Sequence, residues 1–220
     1  MSFFSCRISK SHTRNFHARC SLGDGGATSI SNALLHSQNI TSLHMSFSDV
    51  GPQGGCVLGE LLGRDGPLEA LQLAGNRLGA EGALCLFSGL ESNKHLHFLG
   101  LAGNEIGHFD APVPSIVEVL SLLNNKSATG GGSGSHDFAS DPLYFSQAIC
   151  ESLRLNSRLL SIDLRDNSIA VGYREAIAHA ILHHHHSIYA VHLKGACYCQ
   201  HENEDSPTTS NTIAGTVMLD

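Results

Sequence analysis

The sequence predicts an α/β solenoid in which short parallel strands each lead into a helix. Three observations carry that reading. Apolar residues recur at a period of 28: Ile40, Leu68 and Leu96, then Leu43, Leu71 and Leu99, then Met45, Leu73 and Leu101. A polar position keeps step with them, at Ser48, Asn76 and Asn104. Between these marks the apolar spacing turns helical. A period in the twenties describes units that bury their apolar faces only against one another.

Taken in order, residues 1–19 form a basic leader or a degenerate first unit. Arg7, Lys10, Arg14 and Arg19 all precede the first acid, Asp24, a bias shared with mitochondrial transit peptides. Repeats then span residues 20–196. Ala27, Ile30 and Leu34 are spaced as one stripe of an amphipathic helix, as are Gly55, Leu58, Leu62 and Ala83, Leu86, Leu90. Gly23, Gly51 and Gly79 recur where the chain turns into each helix, with Gly26, Gly54 and Gly82 three residues on; small residues there permit a sharp turn and close helix packing. The strands come from LxxLxL: Leu68, Leu71 and Leu73 in one copy, Leu96, Leu99 and Leu101 in the next, Leu159, Ile162 and Leu164 in a third, and Ile40, Leu43 and Met45 in a looser one. Alternation there describes a very short strand with one buried face. Strand, turn and helix repeat, so the strands run parallel and every crossover lies on one side.

From Asn104 to Asn167 is 63 residues, which places an insertion at about 108–142 with a flexible Gly/Ser loop at 129–135. Ile149 and Leu153 then fall on the helix stripe expected before Leu159. Alternatively, 114–124 is the repeat's own helix and 144–156 the additional one. Ile188, Val191 and Leu193 begin a last strand, with Ala196 in the asparagine slot, and 197–220 is a polar tail.

The pattern LxxLxLxxNxLG, carried by Leu68 to Gly79 and Leu96 to Gly107, resembles the ribonuclease-inhibitor class of leucine-rich repeat. That class includes the activator of the Ran GTPase and the repeat domains of NOD-like receptors. The resemblance implies a horseshoe arc with strands on the concave face and helices on the convex face. It also implies a ladder of buried asparagine amides at Asn76, Asn104 and Asn167, with Ser48 and Cys20 as small polar substitutes.

The apolar fraction of 41% suits a folded chain. A formal net charge of −7 gives no footprint for nucleic acid or an anionic membrane. No apolar run reaches the roughly 18–20 residues that span a bilayer. The seven cysteines are odd in number and scattered. They predict free thiols in a reducing, cytoplasmic compartment, with Cys56, Cys85 and Cys150 packed as small apolar side chains of repeat helices. The basic leader keeps a mitochondrial location as the alternative.

No GxSxG, HExxH or CxxC pattern is present, and no catalytic residue, metal site or cofactor is expected. His183 to His186 lie near Cys197, Cys199 and His201, but four consecutive helical histidines point about 100° apart and cannot face one ion. The better surface is the sheet face opposite the leucines. Its columns are Ser42, Ala70, Phe98, Ser161, Ala190; then His44, Gln72, Gly100, Asp163, His192; then Ser46, Ala74, Ala102, Arg165, Lys194. The candidate contacts are His44, Gln72, Phe98, Asp163, Arg165, His192 and Lys194. The expected function is a non-enzymatic scaffold that binds another protein on the concave face. The alternatives are regulation of a small Ran-like GTPase, which rests on the resemblance and assigns no catalytic residue, or a repeat subunit of a larger receptor or ciliary assembly.

Overall fold

A computed structural model describes residues 15–17, 21–107, 142–184, 188, 190–193 and 217–218. Its elements alternate: β1 (Asn15–His17), α1 (Gly23–Leu34), β2 (Ser42–His44), α2 (Pro52–Gly63), β3 (Ala70–Gln72), α3 (Gly79–Ser92), β4 (Phe98–Gly100), α4 (Pro142–Leu155), β5 (Ser161–Asp163), α5 (Val171–His184), β6 (Ala190–His192) and β7 (Val217–Met218). The seven strands among the described residues pair in parallel, in sequence order, in one open sheet. No helix among the described residues is long and apolar enough to cross a membrane.

Register follows the period. Leu43, Leu71, Leu99, Ile162 and Val191 are paired neighbours along the sheet, and each is buried. They face Leu58, Leu62, Leu86, Leu90, Ile149 and Leu153 in one continuous core. α4 stands between α3 and α5, and both its stripe residues, Ile149 and Leu153, are buried. The Gly/Ser run and the possible helix at 114–124 lie outside the described residues. One strand carries no counterpart in the sequence reading: β7 adds Val217 beside Val191 within the tail, whereas β1, which adds Phe16 beside Leu43, falls in the stretch read as a leader or a degenerate first unit.

Two polar columns close the turns between units. In the first, the Asn76 amide donates to the Met45 and Leu73 carbonyls, and its oxygen accepts from the Ser48 and Val50 N–H groups. Asn104 donates to Leu73 and Leu101, while Asn167 donates to Leu101 and Leu164 and accepts from Asn104 N–H at 2.7 Å. Asn104 Oδ1, although buried, takes no hydrogen bond from the described residues. The second column lies where each helix returns to a strand. Asn93 donates to Leu62 O and accepts from His95 and Leu96 N–H; Asn156 donates to Leu90 O and Asn93 O and accepts from Arg158 and Leu159 N–H. Asp65 holds the equivalent place one unit earlier and accepts from Lys94 N–H and the His95 ring. The Lys94 N–H bond outweighs the loss of solvation and, with His95, keeps the Asp65 pKa below its ordinary value.

α2 receives its cap from the unit before it. Gly51, its N-cap, has no side chain to offer, and Asp24 Oδ1 accepts from Gly51 N–H at 2.7 Å and Gly54 N–H at 2.9 Å. α2 and α3 make the most extensive helix contact among the described elements, and glycine lets their backbones approach. A Cβ on Gly55 would stand 2.7 Å from Gly82 Cα, and one on Gly59 would stand 2.6 Å from the Cys85 carbonyl carbon.

That approach corrects the cysteine reading. Cys56 and Cys85, partly exposed rather than packed in the core, are joined by a disulfide with Cα atoms 4.7 Å apart. They lie 29 residues apart, so adjoining helices of neighbouring units bring them face to face. Cys150 does pack as a small apolar residue, and burial pushes its thiol pKa up to about 12, with Glu151 adding to the rise.

Two stability outcomes follow. Gly59→Ala forces two helix backbones apart and should cost about 1–3 kcal/mol or more; an unchanged thermal midpoint would refute the close-packing account. Asn156→Ala strips partners from two carbonyls and two N–H groups and should cost at least about 1–3 kcal/mol. Arg158→Ala, at an exposed neighbour, should cost little in the same denaturant titration. Equal losses would show that the second column carries no weight.

Candidate functional site

The sheet face turned away from the core is set by strand alternation. Pairing places Ser42, Ala70, Phe98, Ser161 and Ala190 in one row, and His44, Gln72, Gly100, Asp163 and His192 in the next. Lys194 and the Cys20 slot lie outside the described residues, as do the side chains of His183 to His186. Among the described residues no group of three or more histidine, cysteine or acidic side chains is placed to hold a metal ion.

The rows are not uniformly open. His44, Gln72, Phe98 and His192 are half-exposed, while Ser161 and Asp163 are buried. His44 shares a 2.8 Å hydrogen bond with Ser42. Gly100 is the key gap. A side chain there would collide with the Gln72 carboxamide and come within 3.1 Å of the Phe98 ring. With no Cβ in the way, Gln72 lies across the strand beside Phe98. Its Oε1 is buried and has no donor among the described residues.

Strand alternation places Asp163 and Arg165 on the same face, and the structure ties them together. Arg165 Nε donates to Asp163 Oδ1 at 2.9 Å and Nη2 to Oδ2 at 2.7 Å, while the Arg165 N–H also bonds Oδ1. Burial opposes the Asp163 charge, but these bonds outweigh it and hold the carboxyl below its ordinary pKa; the nearby His192 acts in the same direction. The charge expected at this end of the face is therefore a self-neutralised pair with an exposed guanidinium, not two independent ions.

One aromatic of this region has no place in the sequence reading. Phe47, just beyond β2, is 64% exposed and holds a left-handed backbone at φ 55°. The same slot one and two units later holds Gly75 and Gly103, also at positive φ, and after the insertion Asp166. A bulky residue in that conformation is strained. Its ring lies over Gly75, where any side chain would strike it. Phe47 thus rests on a glycine of the next unit, and Phe98 beside Gly100 of its own strand. The available signal was the mismatch itself, a phenylalanine where the next two units put glycine.

A search of curated proteins finds no match to this chain. Comparison with family models finds the leucine-rich repeat, matched at residues 36–58 and 67–87. The matched stretches run through β2 into α2 and through β3 into α3, the units that carry the 28-residue spacing. These two units are leucine-rich repeats.

Proposed function

We propose that the chain is a non-enzymatic scaffold that seats a partner protein on the concave face of a leucine-rich-repeat arc. Leucine-rich repeats commonly mediate protein–protein interaction, and stacked repeats offer extended surfaces for it. The observation that carries the reading is the pair of aromatic rings beside a smooth floor of small residues. Phe47 is exposed at the cost of backbone strain, and Phe98 is half-exposed over Gly100. Strain kept at an exposed site points to function rather than packing, and aromatic anchors are the usual source of interface energy. A cytoplasmic setting belongs to the same reading.

The test is quantitative capture from cell extract followed by titration of the identified partner. Phe98→Ala should weaken the complex by about tenfold or more without changing the melting midpoint. Phe47→Gly should weaken it too while holding or raising stability, because glycine relieves about 1–2 kcal/mol of left-handed strain. Glu175→Lys, exposed on α5, is the control. If all three variants bind alike, the reading fails.

A further inference from the structure

On the helix side of the sheet, α2, α3 and α4 enclose a groove of about 580 Å³. The Cys56–Cys85 disulfide lies in its wall, with Glu60, Ser88, Glu91 and Tyr144 around it. We propose that this cysteine pair is a reversible thiol–disulfide site, which exchanges with low-molecular-weight thiols and disulfides entering by the groove. It stands apart from the partner-binding reading.

The argument rests on what fixes the two sulfurs. Glycine backbone contacts bracket the bond on both sides. Gly55 lies against Gly82 one residue before Cys56 and three before Cys85; Gly59 lies against Gly89 three and four residues after them. The helix spacing is therefore set by backbone contact and does not need the covalent bond. After reduction the two thiols stay within bonding reach, and ring closure remains favourable. A strut that holds the protein together would be lost with the fold. A pair held by other contacts can open and close while the fold persists. Both cysteines are partly exposed and line the groove, which gives a small reagent a route to them. Cys150, buried and with its thiol pushed up to about 12, is not part of the pair.

The exchange balances. In the reduced protein, one cysteine thiolate attacks a sulfur of a small disulfide, forming a mixed disulfide and releasing one small thiolate. The other protein thiolate then attacks the bonded cysteine, closing Cys56–Cys85 and releasing the second. The two released thiolates take up the two protons that the protein thiols lost. The protein pair loses two electrons and the reagent disulfide gains them.

The probe is 2-mercaptoethanol with 2-hydroxyethyl disulfide, chosen neutral because Glu60 and Glu91 line the groove. The full chain is equilibrated across a series of ratios, quenched with an alkylating agent and mapped by mass spectrometry at Cys56 and Cys85. Circular dichroism and melting follow the fold on the same samples. Closure and reopening should track the ratio in both directions with the fold retained. Cys85→Ser should accumulate a mixed disulfide on Cys56 that the wild type does not. Gly89→Ala, which pushes α3 off α2, should shift the midpoint toward the dithiol by at least about tenfold, equivalent to about 30 mV for two electrons. Alkylation of both cysteines at every ratio would overturn the proposal. So would loss of the fold on reduction, since the bond would then be a structural staple. The wild-type series decides the matter even if Gly89→Ala does not fold.

Discussion

The rest of the structure depends on a shortage of hydrogen-bond partners at the turns. Each strand of three residues is too short to satisfy the backbone that enters and leaves it, and the stacking of units buries that backbone. A buried N–H or carbonyl without a partner is expensive. The carboxamide meets the need because one side chain carries both donors and an acceptor. Asn76, Asn104 and Asn167 serve the turns after the strands, while Asn93 and Asn156 serve the turns before them. With both ends closed in this way, the strand leucines keep their register and the sheet extends one strand at a time.

Helix spacing is the second constraint, and it varies along the chain. Where α2 meets α3, glycines remove the side chains that would otherwise separate the backbones. α4 against α3 has no such stripe; there, Ser152 reaches Glu91 at 2.7 Å through a side-chain hydrogen bond. The same chain thus joins one pair of neighbouring helices through bare backbone and gives the next a polar side-chain bond above the shared apolar core. The groove opens beside the change from one mode to the other, lined by residues of all three helices.

Much of this was legible in the sequence, for a clear reason. A strict period fixes which residues become neighbours, so Leu71 beside Leu99 follows from counting. The insertion did not obscure Ile162 beside Leu99, because the motif resumes after it. What counting misses is chemistry that changes identity or direction from unit to unit. The second polar column reads Asp65, Asn93, Asn156, and no single letter repeats early enough to announce it, although Asn93 and Asn156 keep the same 63-residue interval as Asn104 and Asn167. Cys56 and Cys85 are out of step with the period by one residue, and only the rotation of two packed helices makes them meet. Alternation placed Asp163 and Arg165 on the open face, but it cannot tell whether two side chains on one face will bond each other. Phe47 breaks a local rule, and such breaks are where function tends to reside.

The asparagine bonds also have a direction. Asn76 reaches back to Met45, Asn104 to Leu73, Asn167 to Leu101, Asn93 to Leu62 and Asn156 to Leu90. In each case the amide belongs to the later unit and the carbonyl to the earlier one. Asp24 and Asp65 reach forward instead, the first at a part-buried site and the second at an exposed one. The array is therefore polar in its energetics as well as in its chain direction. A unit that loses its successor is left with orphaned buried carbonyls, whereas a unit that loses its predecessor forfeits side-chain partners only at part-buried or exposed N–H groups, those that Asp24 and Asp65 supply. Unravelling should run from the C-terminal end inward, like a row of tiles in which each overlaps the one before.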